Sequence, residues 1–99
     1  MTQHVILMTL RIAPDRITDF QVMMEIEVPL TRRFEGCELF EIYTTELDGE
    51  VLFLEHWRSE EDSKRYSQWR SERGDMARLG SFFTAPPTTV VMKRVAPEQ

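Results

Sequence analysis

Glu55, His56 and Trp57 stand side by side in the chain: a carboxylate, an imidazole and an indole. Nine residues past the tryptophan comes Tyr66, with Trp69 and Arg70 close behind. Side chains of these types can move a proton and hold a flat, electron-rich ring. A carboxylate whose pKa is raised by burial, or an imidazole with a free pKa near neutrality, serves as a general base. Indole and phenol rings stack on an aromatic ligand, and a phenol or guanidinium hydrogen-bonds its oxygen. Each residue also has a plainer reading. Trp57 suits a strand-end core aromatic, Tyr66 a helix residue with its hydroxyl in water, and His56 an ion pair at an interface. Trp69, three residues beyond Tyr66, shares its helical face, so the two fit a packed core as well as a pocket wall. Glu55, if buried, needs a partner, and Arg70 or Arg73 on the following helix can supply one.

These residues must be positioned by a strand and a helix. Residues 4–12, HVILMTLRI, read as a first strand with Ile6, Met8, Leu10 and Ile12 on one apolar face. Asp15 is placed to cap a helix over about 16–34, in which Ile17, Phe20, Met24 and Val28 recur at helical spacing. Pro29 removes one backbone donor and predicts a kink, and Gly36 ends the helix. Residues 37–46 and 51–57 read as a hairpin around Asp48-Gly49, a type I′ turn signal. Ser59 caps a second helix over about 60–73, with Glu60–Lys64 and Glu61–Arg65 pairs on its wet face. Residues 76–83 read as another turn or two of helix. Ala85-Pro86-Pro87 reads as a rigid connector, 88–95 as a last strand and the tail 96–99 as loose.

The order β-α-β-β-α-β is the ferredoxin-like α+β arrangement, an antiparallel sheet with two helices on one face. A two-residue turn at Asp48-Gly49 sets Phe40 opposite Trp57, Ile42 opposite Glu55 and Thr44 opposite Phe53. The other face then carries Glu41 opposite His56, Tyr43 opposite Leu54 and Thr45 opposite Leu52. His56 and Trp57 therefore point to opposite sides and cannot form one cluster. Strands one, three and four are apolar on both faces, yet two helices cover only one. The simplest cover for the second is an identical sheet, which predicts a homodimer with Glu41, Tyr43, Leu54 and His56 at its interface.

Ninety-nine residues with a net charge of −5 make one domain with no basic surface, which argues against nucleic acid and anionic membranes as partners. A single cysteine, Cys37, permits no internal disulfide and no thiolate zinc site. The first residues lack the basic and apolar segments of a signal peptide, so a cytoplasmic protein is expected.

Three stretches carry a likeness. PLTRRFEGCELFEIY over 29–43, FLEHWRSEED over 53–62 and PPTTVVMKRV over 86–95 resemble the antibiotic biosynthesis monooxygenase family, small homodimeric α+β barrels. The resemblance covers nearly the whole chain. It implies a pocket between sheet and helices, lined on the sheet side by Phe40, Phe53 and Trp57, with Tyr66, Trp69 and Arg70 across from them. It also implies a cofactor-independent oxygenase acting on a phenol or quinol, with Glu55 and Tyr66 in catalysis and neither metal nor other cofactor. A cofactor-free isomerase or cyclase, and a non-catalytic binding or accessory domain, are the alternatives on the same fold. The chain departs from the family pattern at Phe53, Ser63 and Tyr66, where an Asn, a Tyr and a His are frequent. It contains no Asn, and Met76 stands where haem-degrading members place a His.

Overall fold

The computed structural model describes residues 3–96; the last three residues of the expected loose tail lie outside that range. Its elements are β1 (His4–Ile12), a 3-10 turn (Pro14–Arg16), α1 (Ile17–Arg33), β2 (Cys37–Thr44), β3 (Glu50–Trp57), α2 (Glu60–Glu72), α3 (Asp75–Gly80) and β4 (Phe83–Met92). The strands form one antiparallel sheet in the order β2-β3-β1-β4. This is the ferredoxin-like α+β fold, with α3 as a short third helix.

Strand alternation fixes which side chains meet the helices. Along β3, Val51, Phe53, Glu55 and Trp57 are buried, while Leu52, Leu54 and His56 between them are only half-buried on the other face. Leu10 and Ile12 of β1 join Val51, Phe53 and Phe40 against Phe20 of α1 and Phe82. Phe20 stacks on Phe53 at 6.3 Å and meets Phe82 edge-on at 5.9 Å.

The hairpin register differs from the sequence expectation. Phe40 sits opposite Glu55, Ile42 opposite Phe53 and Thr44 opposite Val51. The connection is a longer loop, closed by Glu50 N donating to Leu47 O at 3.1 Å, with Gly49 at φ +82°. A shift of two residues preserves every face, because side chains alternate with period two. It does separate Glu41 from His56: Glu41 faces Leu54, and Leu39 faces His56. The expected pair between them does not form within the chain, and the Tyr43 hydroxyl donates to Glu41 instead.

Other boundaries moved for identifiable reasons. Asp15 does not cap α1; it lies in the 3-10 turn, and the α1 N-cap, Arg16, makes no side-chain capping bond. Pro29 leaves α1 continuous. The last strand starts at Phe83 and runs through Pro86 and Pro87. Thr9 pairs with Thr88 but Arg11 with Ala85, so the two prolines occupy an irregularity on an edge strand, where missing donors do little harm. Ser59 does cap α2, its Oγ accepting from Asp62 N at 3.2 Å. Arg65 turns to Asp62 rather than Glu61, and Arg58 Nε donates to the same carboxylate at 2.7 Å.

The turn after α1 packs against this buried acid. Gly36 adopts φ +93°, and a Cβ placed there would overlap the Asp62 side chain. Gly36→Ala is therefore expected to lower unfolding free energy by about 2 kcal/mol or more. Gly80→Ala, where a Cβ meets open space, is expected to leave stability unchanged or slightly raised. Urea midpoints of the two variants check the contrast.

Candidate functional site

Between the sheet and the helices lies a cavity of about 490 Å³. Its sheet side is Ile6, Met8, Phe40, Phe53 and Glu55 with Phe83, Pro87 and Thr89 of β4; α1 adds Met23, Met24, Glu27 and Thr31. From α2 come Tyr66, Ser67 and Arg70, and from α3 Asp75, Met76 and Leu79. Most of this wall is hydrocarbon, ring or thioether, and the polar groups gather at the helix end, the usual make-up of a small-molecule site.

Arg70 organises the polar end. Its side chain is 7% exposed. Nε donates to the Tyr66 hydroxyl at 2.8 Å. Nη1 donates to Glu27 Oε1 at 3.2 Å and Asp75 Oδ2 at 2.7 Å. Nη2 donates to Glu27 O at 3.1 Å and Thr31 Oγ1 at 2.8 Å. A guanidinium has five N–H donors, and every one is engaged inside the chain. Thr31 gives its proton to Glu27 O at 3.2 Å, so the Tyr66 proton goes to Thr31 Oγ1 at 2.6 Å. Burial works to raise the Asp75 carboxyl, but its bond with Arg70 and the charges of Arg70, Arg73 and Arg78 prevail and hold it below its ordinary value.

Glu55 is buried on the cavity wall, across from Arg70 but not bonded to it. Trp57 Nε1 donates to Glu55 Oε1 at 2.8 Å. Burial raises the Glu55 carboxyl above the ordinary glutamate range, with the Trp57 bond and the Arg70 charge opposing. Burial likewise raises the Tyr66 hydroxyl, against its bonds with Thr31 and Arg70.

Of the residues singled out from sequence, Glu55, Tyr66, Phe40, Phe53 and Arg70 converge on the cavity. Trp57 and Trp69 stand behind its wall. Trp57 is fully buried, its ring 4.9 Å from Tyr66 and 6.4 Å from Phe34; Phe34 also lies 5.0 Å from Trp69. Trp57 thus acts on the cavity through its N–H on Glu55. Glu41, Tyr43, Leu54 and His56 lie on the opposite sheet face, away from the cavity. Sequence reading missed Glu27, Thr31 and Asp75. Glu27 and Thr31 do lie seven and eleven residues beyond Phe20, on its helical stripe. Asp75 gave no signal beyond following a glycine. Among the described residues, no cluster of His, Cys, Asp and Glu is placed to hold a metal ion, and no helix is long and apolar enough to cross a membrane.

Because Asp75 titrates below its ordinary value of 3.8, its contribution to stability is full above that pH and is lost as pH falls through its lower folded value. Asp75→Asn is expected to melt lower than wild type at pH 5 and to lose less on further acidification. Thermal melts between pH 5 and pH 2 give the comparison.

The antibiotic biosynthesis monooxygenase family model matches residues 3–71. No curated protein sequence matches the chain. Among solved structures, Rv0793 from Mycobacterium tuberculosis superposes with a TM-score of 0.85 at 17% identity, over 99% of this chain and 100% of its own. A conserved protein from Methanosarcina mazei Go1 gives 0.86 at 15% identity, over 95% and 94%. A structure described as an antibiotic biosynthesis monooxygenase gives 0.84 at 17% identity, over 94% and 99%. At these identities the structural likeness speaks for the fold.

Proposed function

Because the chain belongs to the antibiotic biosynthesis monooxygenase family, we propose that its cavity binds an electron-rich phenol or quinol and oxygenates it with no cofactor beyond the substrate's own electrons. The observation that carries this reading is Glu55, a buried carboxyl among apolar side chains on the sheet side of the cavity, with an indole N–H as its hydrogen-bond donor. Burial raises its pKa above the ordinary glutamate range, which makes it a stronger proton acceptor than an exposed carboxylate.

The chemistry follows from that placement. Glu55 takes the phenolic proton. The phenolate transfers one electron to dioxygen, and the resulting superoxide joins the ring radical at carbon to form a peroxide. Proton return from Glu55 gives a hydroperoxide; the C–H bond at that carbon then breaks with the O–O bond, its electron pair forming the ring carbonyl and its proton joining the departing hydroxide as water. One dioxygen is consumed for each substrate; one oxygen atom stays in the product and the other leaves as water. Phe40 and Phe53 hold the ring from the sheet side, and the Tyr66–Arg70 network keeps the helix side rigid.

A binding domain without catalysis is the second reading, favoured by the way Tyr66 and Arg70 satisfy one another instead of presenting free groups. Oxygen uptake separates the two. With a naphthol or hydroquinone substrate, wild type is expected to consume oxygen with a rate that rises through a pKa above the ordinary glutamate value of 4.5. Glu55→Gln should lose about 100-fold or more in rate, and that limb with it. Trp57→Phe should push the limb to higher pH, since the N–H on the ionised carboxylate is gone. Uptake unaffected by Glu55→Gln removes the acid from the mechanism; no uptake with any phenol favours the binding domain.

We further propose that a second copy of the chain covers the outer sheet face, where Tyr43 and Val90 are exposed beside Leu52 and Leu54. Leu54→Glu is expected to convert a dimer into monomers in sedimentation velocity runs. A wild-type monomer at micromolar concentration contradicts the proposal.

A further inference from the structure

We infer that the cavity selects an uncharged ring and rejects its carboxylate counterpart, and that Glu27 and Asp75 enforce this selection by occupying Arg70. The inference rests on the reading of the cavity as the ligand site and sharpens it. An arginine in a pocket ordinarily invites an anion, because its planar fork matches a carboxylate. Here the fork is closed. Both carboxylates and the Tyr66 and Thr31 hydroxyls accept from it, together with a backbone carbonyl, and no N–H is left over.

The charges around the wall are already paired with one another. Besides the Tyr66 phenol, its ionisable lining is one guanidinium and three carboxyl groups, those of Glu27, Glu55 and Asp75. Arg73 and Arg78 also reach these acids, but their side chains are 37% and 54% exposed and do not line the cavity. They pair with the carboxylates from the solvent side and offset their charge. A ligand carboxylate would lose its water and find no free guanidinium donor to replace it. A ligand cation would lose its water and find Glu27 and Asp75 already paired with arginines, leaving only Glu55, whose charged form burial disfavours. An uncharged hydroxyl needs only an acceptor, which Glu55 provides.

Three probes of one shape test this: 2-naphthol, 2-naphthoate and 2-naphthylmethylammonium, titrated into the whole protein by calorimetry at neutral pH. Naphthol is expected to bind, with naphthoate about 100-fold weaker and the ammonium weaker than naphthol. Glu27→Gln keeps an oxygen for Arg70 but leaves part of its positive charge unmatched, so naphthoate should gain about tenfold relative to naphthol. If circular dichroism shows that variant unfolded, Asp75→Asn takes its place; if both are unfolded, the wild-type ratios decide. Naphthoate or the ammonium binding as tightly as naphthol overturns the inference and leaves the oxygenase reading intact. A folded variant that leaves the naphthoate ratio unmoved overturns the role given to the acids. Failure of all three probes to bind, together with absent oxygen uptake, overturns the reading and the inference with it.

Discussion

A guanidinium with almost no access to water is the constraint around which the helical layer is built. Removing Arg70 from solvent carries a penalty of several kcal/mol unless every donor is met and its charge is matched. The chain meets this from three helices at once: Glu27 and Thr31 on α1, Tyr66 on α2 itself and Asp75 on α3. The six residues of α3 are too few to stand as an isolated helix. Arg70 bonds it to α1 and α2, with Arg78 reaching both Asp75 and Glu27 from outside. The same bonds fix the Tyr66 ring and so set one wall of the cavity. Packing, helix placement and site geometry therefore share one set of contacts.

The sheet side follows a different rule. There, burial acts on a single acid. Glu55 is enclosed by hydrocarbon and rings, with an indole N–H as its donor and Arg70 present only as a charge at longer range. Protonated, it is a donor; ionised, it is a base. The closed guanidinium bears on the proposed chemistry as well. A phenolate formed with no cation bonded to it is harder to form but is a better electron donor to oxygen than one held by an arginine. The arrangement trades ease of ionisation for reducing power.

The facing of the strands was legible from sequence because alternation needs only parity. An error of two residues in the hairpin left Phe40, Phe53, Glu55 and Trp57 on one face and His56 on the other. The cross-strand partners were lost by the same error, since the Asp48-Gly49 signal does not reveal loop length. Pro86 and Pro87 hid the start of β4 because proline reads as a break, while an irregular edge strand tolerates it. The acids of the site were illegible for another reason. Glu27 and Asp75 sit among many surface carboxylates, and one residue type serves for a solvated face and for a buried partner of arginine. Only the tertiary meeting of α1, α2 and α3 distinguishes them.

Four of the six methionines, Met8, Met23, Met24 and Met76, line the cavity. Their unbranched thioethers can rearrange around ligands of different outline at little energetic loss. The polar end has less latitude: a partner of Arg70 replaced by a side chain that accepts no hydrogen bond leaves a buried N–H unmet. The two halves of the wall therefore differ in how far a substitution reaches. Exchanging one methionine for another apolar side chain reshapes the outline of the cavity locally, whereas a change at the polar end is felt on three helices at once.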